Sequence, residues 1–244
     1  MIVLFTDFGL NGPYIGQMQA SILRVSPKTN MVNLFANAPS FNPAAAAHLL
    51  SAYVAESPVS TVFLTVIDPG VGSQRRPVVA EIDGRYFVGP NNGLFDVVAS
   101  RADTAVLREI VWQPDHLSDS FHGRDLFAPV AAHLENQTLP GAWLSDSIPY
   151  PSGSSVTDLQ EIIYLDDYGN GITGLRASQI DEQARVVVRG YTLARARTFS
   201  DVEEGLPFWY RNSNGLVEIS VNCGSAKQQL ELSIGTPFEV VGQD

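Results

Sequence analysis

Apolar and polar positions along the first seventy residues alternate between two periods, and turn residues mark each change. Ile2 to Phe8 reads as a buried strand, with Gly9, Gly12 and Pro13 as the punctuation after it. Tyr14 to Val25 carries apolar residues at Ile15, Met18, Ile22 and Val25, the spacing of one helix face. Met31 to Phe35 is a second short strand. Pro43 to Ala55 is rich in Ala and Leu and predicts a helix, with Asn42 as its N-cap and Pro43 at the first helical position. Thr61 to Ile67 is a third strand. The order β-α-β-α-β predicts an α/β unit with a largely parallel sheet and helices on its faces.

Further on, Val78 to Val88 reads as a hairpin about Asp83-Gly84, a favoured type I′ turn pair. Asn91-Asn92-Gly93 is another turn, and a helix is expected from Gly123 to Leu134, before Pro140. Pro149 to Ser155, P-Y-P-S-G-S-S, is the best linker in the chain. Beyond it the texture changes. Ile162 to Leu165, Ala184 to Val188, Val217 to Val221 and Pro237 to Val241 are short β-type runs separated by turns, with no long helical period. The expected organisation is an α/β N-terminal domain over 1–150 and a small antiparallel β-barrel or sandwich over 151–244.

Composition narrows the function classes. At 244 residues, with 45% hydrophobic and 17% charged positions, the chain can bury a real core and is not disordered. A net charge of −11 argues against a nucleic-acid partner, because nothing offsets repulsion from phosphates, but leaves room for a small cationic ligand. The single cysteine, Cys223, excludes an intrachain disulfide and any multi-cysteine metal site, and fits a reducing cytoplasm. The N-terminus lacks the basic stretch of a signal peptide, and no apolar run approaches the ~20 residues of a membrane span. The expectation is a soluble, cytoplasmic protein without a membrane partner.

Candidate chemistry sits where strands end. Asp7 closes the first strand and Asp68 the third, so adjacent parallel strands bring both carboxylates to the rim where α/β sheets bind ligands. A carboxylate there suits the two hydroxyls of a ribose, although Asp7 taken alone reads rather as an N-cap for the next helix. After Asp68 the chain turns through Pro69 and Gly70 and offers Arg75, either as the partner of an active-site acid or in a surface ion pair. His122, in Ser120-Phe121-His122-Gly123-Arg124-Asp125, stands at a helix entry, which favours a neutral imidazole. His48, His116 and His133 read as structural, and Asp125 as an acid favouring the helix dipole. Asp7, Asp68, His122 and Asp125 could in principle assemble a divalent metal site, and nothing in their spacing demands one. Gly169-Asn170-Gly171-Ile172-Thr173-Gly174 matches G-x-G-x-x-G, but no long βαβ unit follows, and Arg189 stands where a ribose-binding acid belongs. Asp166-Asp167-Tyr168-Gly169-Asn170 is a polar turn able to face a ligand. G-x-S-x-G, P-loop and H-E-x-x-H motifs are absent from the sequence.

The ordered set T-D-F-G (Thr6–Gly9), V-I-D-P-G-V-G-S-Q-R (Val66–Arg75), G-P-N-N-G (Gly89–Gly93), F-H-G-R-D (Phe121–Asp125), D-D-Y-G-N (Asp166–Asn170) and N-S-N-G-L-V-E-I-S-V-N-C-G-S-A (Asn212–Ala226) resembles the S-adenosylmethionine (SAM) hydroxide adenosyltransferases. These adenosine-forming SAM hydrolases are related to the SAM-dependent fluorinase and chlorinase. The resemblance spans nearly the whole chain. It implies an N-terminal α/β domain, a C-terminal β-barrel, and a homotrimer binding SAM between the N-terminal domain of one subunit and the C-terminal domain of the next. It also implies a catalytic Asp-Arg-His triad, here Asp68, Arg75 and His122. Arg76 follows Arg75 directly, so the arginine is assigned by spacing. By the same resemblance Asp7 binds the ribose hydroxyls, Asp166 the methionine ammonium and Asn170 the adenine, with Ser225 near the methionine end. No metal or cofactor is implied, SAM being the substrate. The usual aromatic of D-x-F-G-N is Tyr168 here. The tyrosine that replaces Asp68 in the fluorinase, and its additional loop, are missing.

The reaction so implied is attack of water or hydroxide at C5′ of SAM, releasing adenosine and methionine. Asp68 and His122 are expected to orient the water and take its proton, with Arg75 held against Asp68. The alternatives are a SAM-dependent halogenase, a metal-dependent hydrolase of a nucleoside-type substrate, and a nucleoside-binding module without turnover.

Overall fold

The structure, a computed structural model, describes residues 1–151 and 156–242. It forms two compact units, Met1–Val156 and a second beginning at Thr157. In the first unit the elements are β1 (Ile2–Thr6), α1 (Tyr14–Val25), β2 (Met31–Phe35), α2 (Pro43–Tyr53), β3 (Val62–Val66), β4 (Pro77–Ile82), β5 (Arg85–Pro90), α3 (Asp96–Ser100), β6 (Ala105–Glu109), α4 (Ala128–Glu135) and β7 (Ile148–Pro149). They build one seven-stranded sheet in the order β2-β1-β3-β5-β4-β6-β7.

The expected parallel sheet is present only in part. β1 pairs in parallel with β2 and β3, and β3 with β5, whereas β4, β6 and β7 join antiparallel. The physical reason is the turn between β4 and β5. Asp83 and Gly84 both take positive φ, 44° and 71°, and a two-residue turn of this kind can only connect antiparallel strands. The sheet is therefore mixed.

β1 and β3 are buried at every position, as central parallel strands covered on both faces must be. Ile15, Met18 and Ile22 of α1 pack with Ala128, Val130 and Ala131 of α4 against Ile2, Leu4, Val62 and Leu64. The N-cap of α2 forms as the sequence predicts, Asn42 Oδ1 accepting from Ala45 N–H at 3.0 Å. The helix expected from Gly123 opens with a wide π turn over Gly123–Phe127, closed by Ala128 N–H to the Gly123 carbonyl, before α4 begins.

The predicted linker is shorter than its composition suggests. Pro149 lies in β7, and Tyr150 is buried, its hydroxyl donating to Asp96 Oδ1 at 2.7 Å. Ser152–Ser155 lie outside the described residues.

The second unit comprises β8 (Leu159–Leu165), β9 (Gly171–Arg176), β10 (Arg185–Val188), β11 (Tyr191–Leu193), β12 (Pro207–Arg211), β13 (Leu216–Val221), α5 (Ala226–Gln229) and β14 (Glu239–Val241). Two antiparallel sheets result, β12-β13-β9-β8 and β11-β10-β14. Single bridges, Glu161 to Pro237 and Arg195 to Trp209, join their edges. Trp209, Val186, Val217 and Ile219 occupy the core. The G-x-G-x-x-G stretch runs into β9, not into a helix. An added Cβ at Gly171 or Gly174 would meet Ile162 or Leu159 at 2.9 and 2.6 Å, so these glycines serve strand packing.

Candidate active site

In the first unit the segment after β3 and the segment before the π turn meet. Asp68 lies two residues past the end of β3. The chain then reverses with Gly72 at φ 76°, and a Cβ there would stand 2.8 Å from the Asp119 carbonyl oxygen. Only glycine permits this approach, which brings Arg75 and the loop before His122 together.

Arg75 Nε donates to both oxygens of Asp68, at 2.9 and 3.0 Å, and Nη2 donates to Oδ2 as well. The side chains are 9% and 5% exposed, so the bland alternative of a surface ion pair does not apply. Arg76 points elsewhere, 70% exposed and 3.6 Å from Glu109. Arg75 Nη2 also lies 2.8 Å from Nδ1 of His122. A guanidinium can only donate, so Nδ1 accepts, and the neutral imidazole carries its hydrogen on Nε2. Burial pushes the His122 pKa below its ordinary value, and the positive charge of Arg75 pushes it further; Asp68, Asp119 and Asp125 act weakly in the opposite direction. Burial and Arg75 thus favour the neutral imidazole, the state also expected of a histidine at a helix entry.

A pocket of about 370 Å³ opens beside this group, lined by Asp7, Asp68 and His122 together with Phe8, Tyr14, Phe41 and Phe121. Asp7 does not cap α1, whose N-cap is Pro13 without a side-chain bond. Instead its Oδ2 accepts Phe41 N–H at 3.1 Å, which holds Phe41 at φ 58°. Burial raises the Asp7 pKa, and the nearby Asp68 charge adds to the rise, against the Phe41 bond. Phe121 packs edge-on against Phe8 and Tyr14, with ring centroids 5.7 and 5.5 Å apart. This aromatic wall is not legible in the sequence, because Phe41 sits in a loop without periodicity and Tyr14 reads only as the start of a helix. Asn92 was also missed as more than a turn residue. Its Nδ2 donates to the Ile67 carbonyl at 2.9 Å and so holds the backbone that precedes Asp68.

Among the described residues, no group of three or more His, Cys, Asp or Glu side chains is placed to hold a metal ion. Asp125, the fourth member of the set considered from sequence, is turned to Arg124 and the Ser118 N–H.

The second unit has its own concavity of about 600 Å³, walled by Asp166, Tyr168, Asn170, Phe199, Tyr210 and Glu218. Asp166 Oδ1 accepts the Asn170 backbone N–H and Oδ2 the Asn170 side-chain amide, both at 2.8 Å. One N–H of the Asn170 side-chain amide is so used, which leaves its second N–H and its carbonyl oxygen to offer. Ser225 caps α5 through Gln228 N–H and packs so closely on Gly169 that a Cβ there would lie 2.0 Å from its Oγ. Glu218 is buried, accepting from Tyr210 Oη at 2.6 Å and Asn212 Nδ2 at 3.0 Å. Burial raises its pKa, the two donors lower it, and Asp166 adds to the rise. Sequence reading singles out neither Tyr210 nor Glu218: Glu218 falls within the strand-like run Val217 to Val221, and the strand that carries Tyr210 is not predicted.

The fold and these two sites define an α/β enzyme frame with a strand-end acid site, followed by an all-β unit carrying an aromatic, acidic concavity. Two family models match the chain, the SAM hydroxide adenosyltransferase N-terminal domain over residues 2–142 and its C-terminal domain over residues 160–239. An (R)-S-adenosyl-L-methionine hydrolase of Thermus thermophilus is 34% identical, over 98% of this chain and 99% of the relative. A protein of the same name from Salinispora arenicola is 31% identical over 96% and 95%. A solved structure of an uncharacterized conserved protein from Thermotoga maritima superimposes with a TM-score of 0.87 at 33% identity, covering 99% of this chain and all of that one. The chain belongs to the SAM hydroxide adenosyltransferase family.

Proposed function

We propose that this protein hydrolyses S-adenosyl-L-methionine to adenosine and L-methionine, with Asp68, Arg75 and His122 handling the water. The observation that carries the reading is the buried chain of contacts Asp68–Arg75–His122 at the rim of the sheet, beside a pocket that also holds Asp7. The relatives' names add the (R) form at sulfur, and we extend that preference to this chain.

The hydrogen-bond pattern divides the labour within the triad. With Nδ1 of His122 occupied by Arg75, the imidazole offers an Nε2–H donor and orients the water through its oxygen. Asp68 is the acceptor for the water's proton, since each carboxylate oxygen has two acceptor sites and Arg75 does not use them all. The water's remaining lone pair attacks C5′ in line with the departing sulfur, and methionine leaves as a neutral thioether. Hydroxide character and sulfonium charge vanish together, so a pocket walled by aromatic rings favours the transition state over bulk water.

The remaining assignments are ours by resemblance. Asp7 takes the ribose hydroxyls. Asn170 reads the adenine with its carbonyl oxygen, and Asp166 meets the methionine ammonium while orienting Asn170. Ser225 lies toward the methionine end. The N- and C-terminal domains divide near residue 150, the two sheets of the second unit act as one barrel closed by their single bridges, and three subunits assemble with SAM at their interfaces in the cytoplasm. No cofactor takes part.

The deciding test is incubation of the protein with resolved (R) and (S) diastereomers of SAM, with and without chloride, and separation of the products. Adenosine and methionine formed from the (R) form meet the reading. Appearance of 5′-chloro-5′-deoxyadenosine would identify a halogenase instead. Binding without product would leave a nucleoside-binding module.

A further inference from the structure

Arg124 and Asp125 follow His122 after a single glycine, Gly123, and neither lines the pocket that holds Asp68 and His122. Their side chains are nonetheless bound in a closed set of contacts. Arg124 Nε donates to Asp125 Oδ1 at 2.6 Å and Nη2 to Oδ2 at 2.8 Å, a bidentate pair. The third guanidinium nitrogen, Nη1, donates to Gln17 Oε1 of α1 at 2.9 Å. The guanidinium also stands 5.2 Å from the centre of the Phe121 ring. Asp125 Oδ2 accepts the Ser118 backbone N–H at 3.0 Å, and the Arg124 carbonyl accepts Ser21 Oγ–H at 2.8 Å.

Each of these partners belongs either to the loop that carries His122 or to the helix beneath it. The Ser118 bond closes the loop 118–125 on itself. Gln17 and Ser21 anchor it to α1, and the contact over Phe121 joins it to the pocket wall. On the far side the same loop meets Gly72, in the turn that delivers Arg75. The loop runs directly into the π turn over Gly123–Phe127, and such turns recur at functional sites.

We propose that Arg124 and Asp125 are positioning residues, a clamp that sets the His122 imidazole against Arg75 for the hydrolytic step without touching the substrate. This rests on the reading of Asp68, Arg75 and His122 as the water-handling group. An exposed ion pair with no such task contributes little and acts on stability alone. A clamp acts on turnover, because a small displacement of an orienting group far from the substrate's binding contacts costs rate more than affinity.

The test uses Asp125→Asn and Arg124→Lys in the full chain, each made alone and in a His122→Ala background, with kcat and KM measured on resolved SAM. In the native background kcat falls by ~10- to 100-fold, the cost of a misplaced catalytic group, while KM stays within about twofold. In the His122→Ala background the same substitutions cost nothing further in kcat, because the clamp reaches the reacting water through that imidazole, while its contact over Phe121 bears on the pocket wall alone. An equal loss in both backgrounds, a change confined to KM, or an unchanged kcat would each overturn the proposal. If one variant fails to fold, the other carries the same cycle. Asp68→Asn separates the two readings: full activity in that variant sinks the triad itself, whereas an inactive Asp68→Asn beside a fully active Asp125→Asn sinks only the clamp.

Discussion

Arg75 donates to Nδ1 of His122 at 2.8 Å while the same guanidinium holds Asp68. One cation thus donates to two acceptors, a carboxylate and an imidazole nitrogen, and leaves the imidazole to donate from Nε2. Nitrogen-15 spectra of His122 at neutral pH are expected to show an unprotonated Nδ1 and a protonated Nε2. The opposite tautomer would dismantle the proposed division of roles.

Substitution at Asp68 and Arg75 should separate chemistry from stability. Asp68→Asn keeps the shape but removes the proton acceptor, and hydrolysis should fall by about 10²- to 10⁴-fold, the usual worth of a positioned general base. Arg75→Met leaves Asp68 buried without its cation. Breaking a buried pair in this way costs on the order of 3–5 kcal/mol, read as a lowered urea midpoint, in addition to the lost activity.

The pH dependence follows from the lowered His122 pKa, which burial causes first and Arg75 second. The imidazole remains neutral at its ordinary pKa of about 6.5, so activity should hold there and fall only as pH drops through the lower folded value. The unfolded chain takes up the proton earlier, so the stability this residue contributes is complete above about 6.5 and declines as pH falls below it. Titration of the His122 ring resonances checks both; a midpoint above 6.5 would contradict them.

Asp7 and Phe41 form a second testable pair. Asp7→Asn should raise KM for SAM more than it lowers kcat, because its proposed task is ribose binding. Phe41 holds φ 58° and is 79% exposed. Phe41→Gly should therefore gain up to ~1 kcal/mol of stability from relieved backbone strain while weakening substrate binding through the lost ring. Thermal unfolding and KM measured on the same sample would show the two effects moving oppositely.

Asn92→Ala removes the donor that holds the Ile67 carbonyl beside Asp68. The expected cost is ~1–3 kcal/mol of stability, from an unsatisfied inner carbonyl, together with reduced kcat. Unchanged kcat in a stable variant would mean that Asp68 keeps its place without this bond.

Local chemistry made much of this legible in advance. The apolar spacing of Ile15, Met18 and Ile22 predicted α1, the Asn42-Pro43 pair predicted the start of α2, and Asp83-Gly84 predicted the β4–β5 turn. These are short-range matters, decided by side-chain period, capping and backbone torsion. The same turn also contained the antiparallel half of the sheet, a consequence the β-α-β-α-β rhythm concealed. Strands β6, β7, β9, β11 and β12 are not predicted by the sequence pattern; in β9, Gly171 and Gly174 serve packing rather than propensity, and Pro207 heads β12.

Asp68 and Arg75, seven residues apart across a Pro/Gly turn, were readable as a pair from the sequence alone, and the ordered motifs pointed to His122 as their third member. What no linear pattern contains is the contact over 47 positions between Arg75 and His122, or the hydrogen it assigns to Nε2. Gly72 permits that approach because it lacks the side chain that would collide with the Asp119 carbonyl. Sequence determines which groups are available and which turns can deliver them. Tertiary packing decides which donor meets which acceptor, since burial and distance, and not residue identity, set the proton's place.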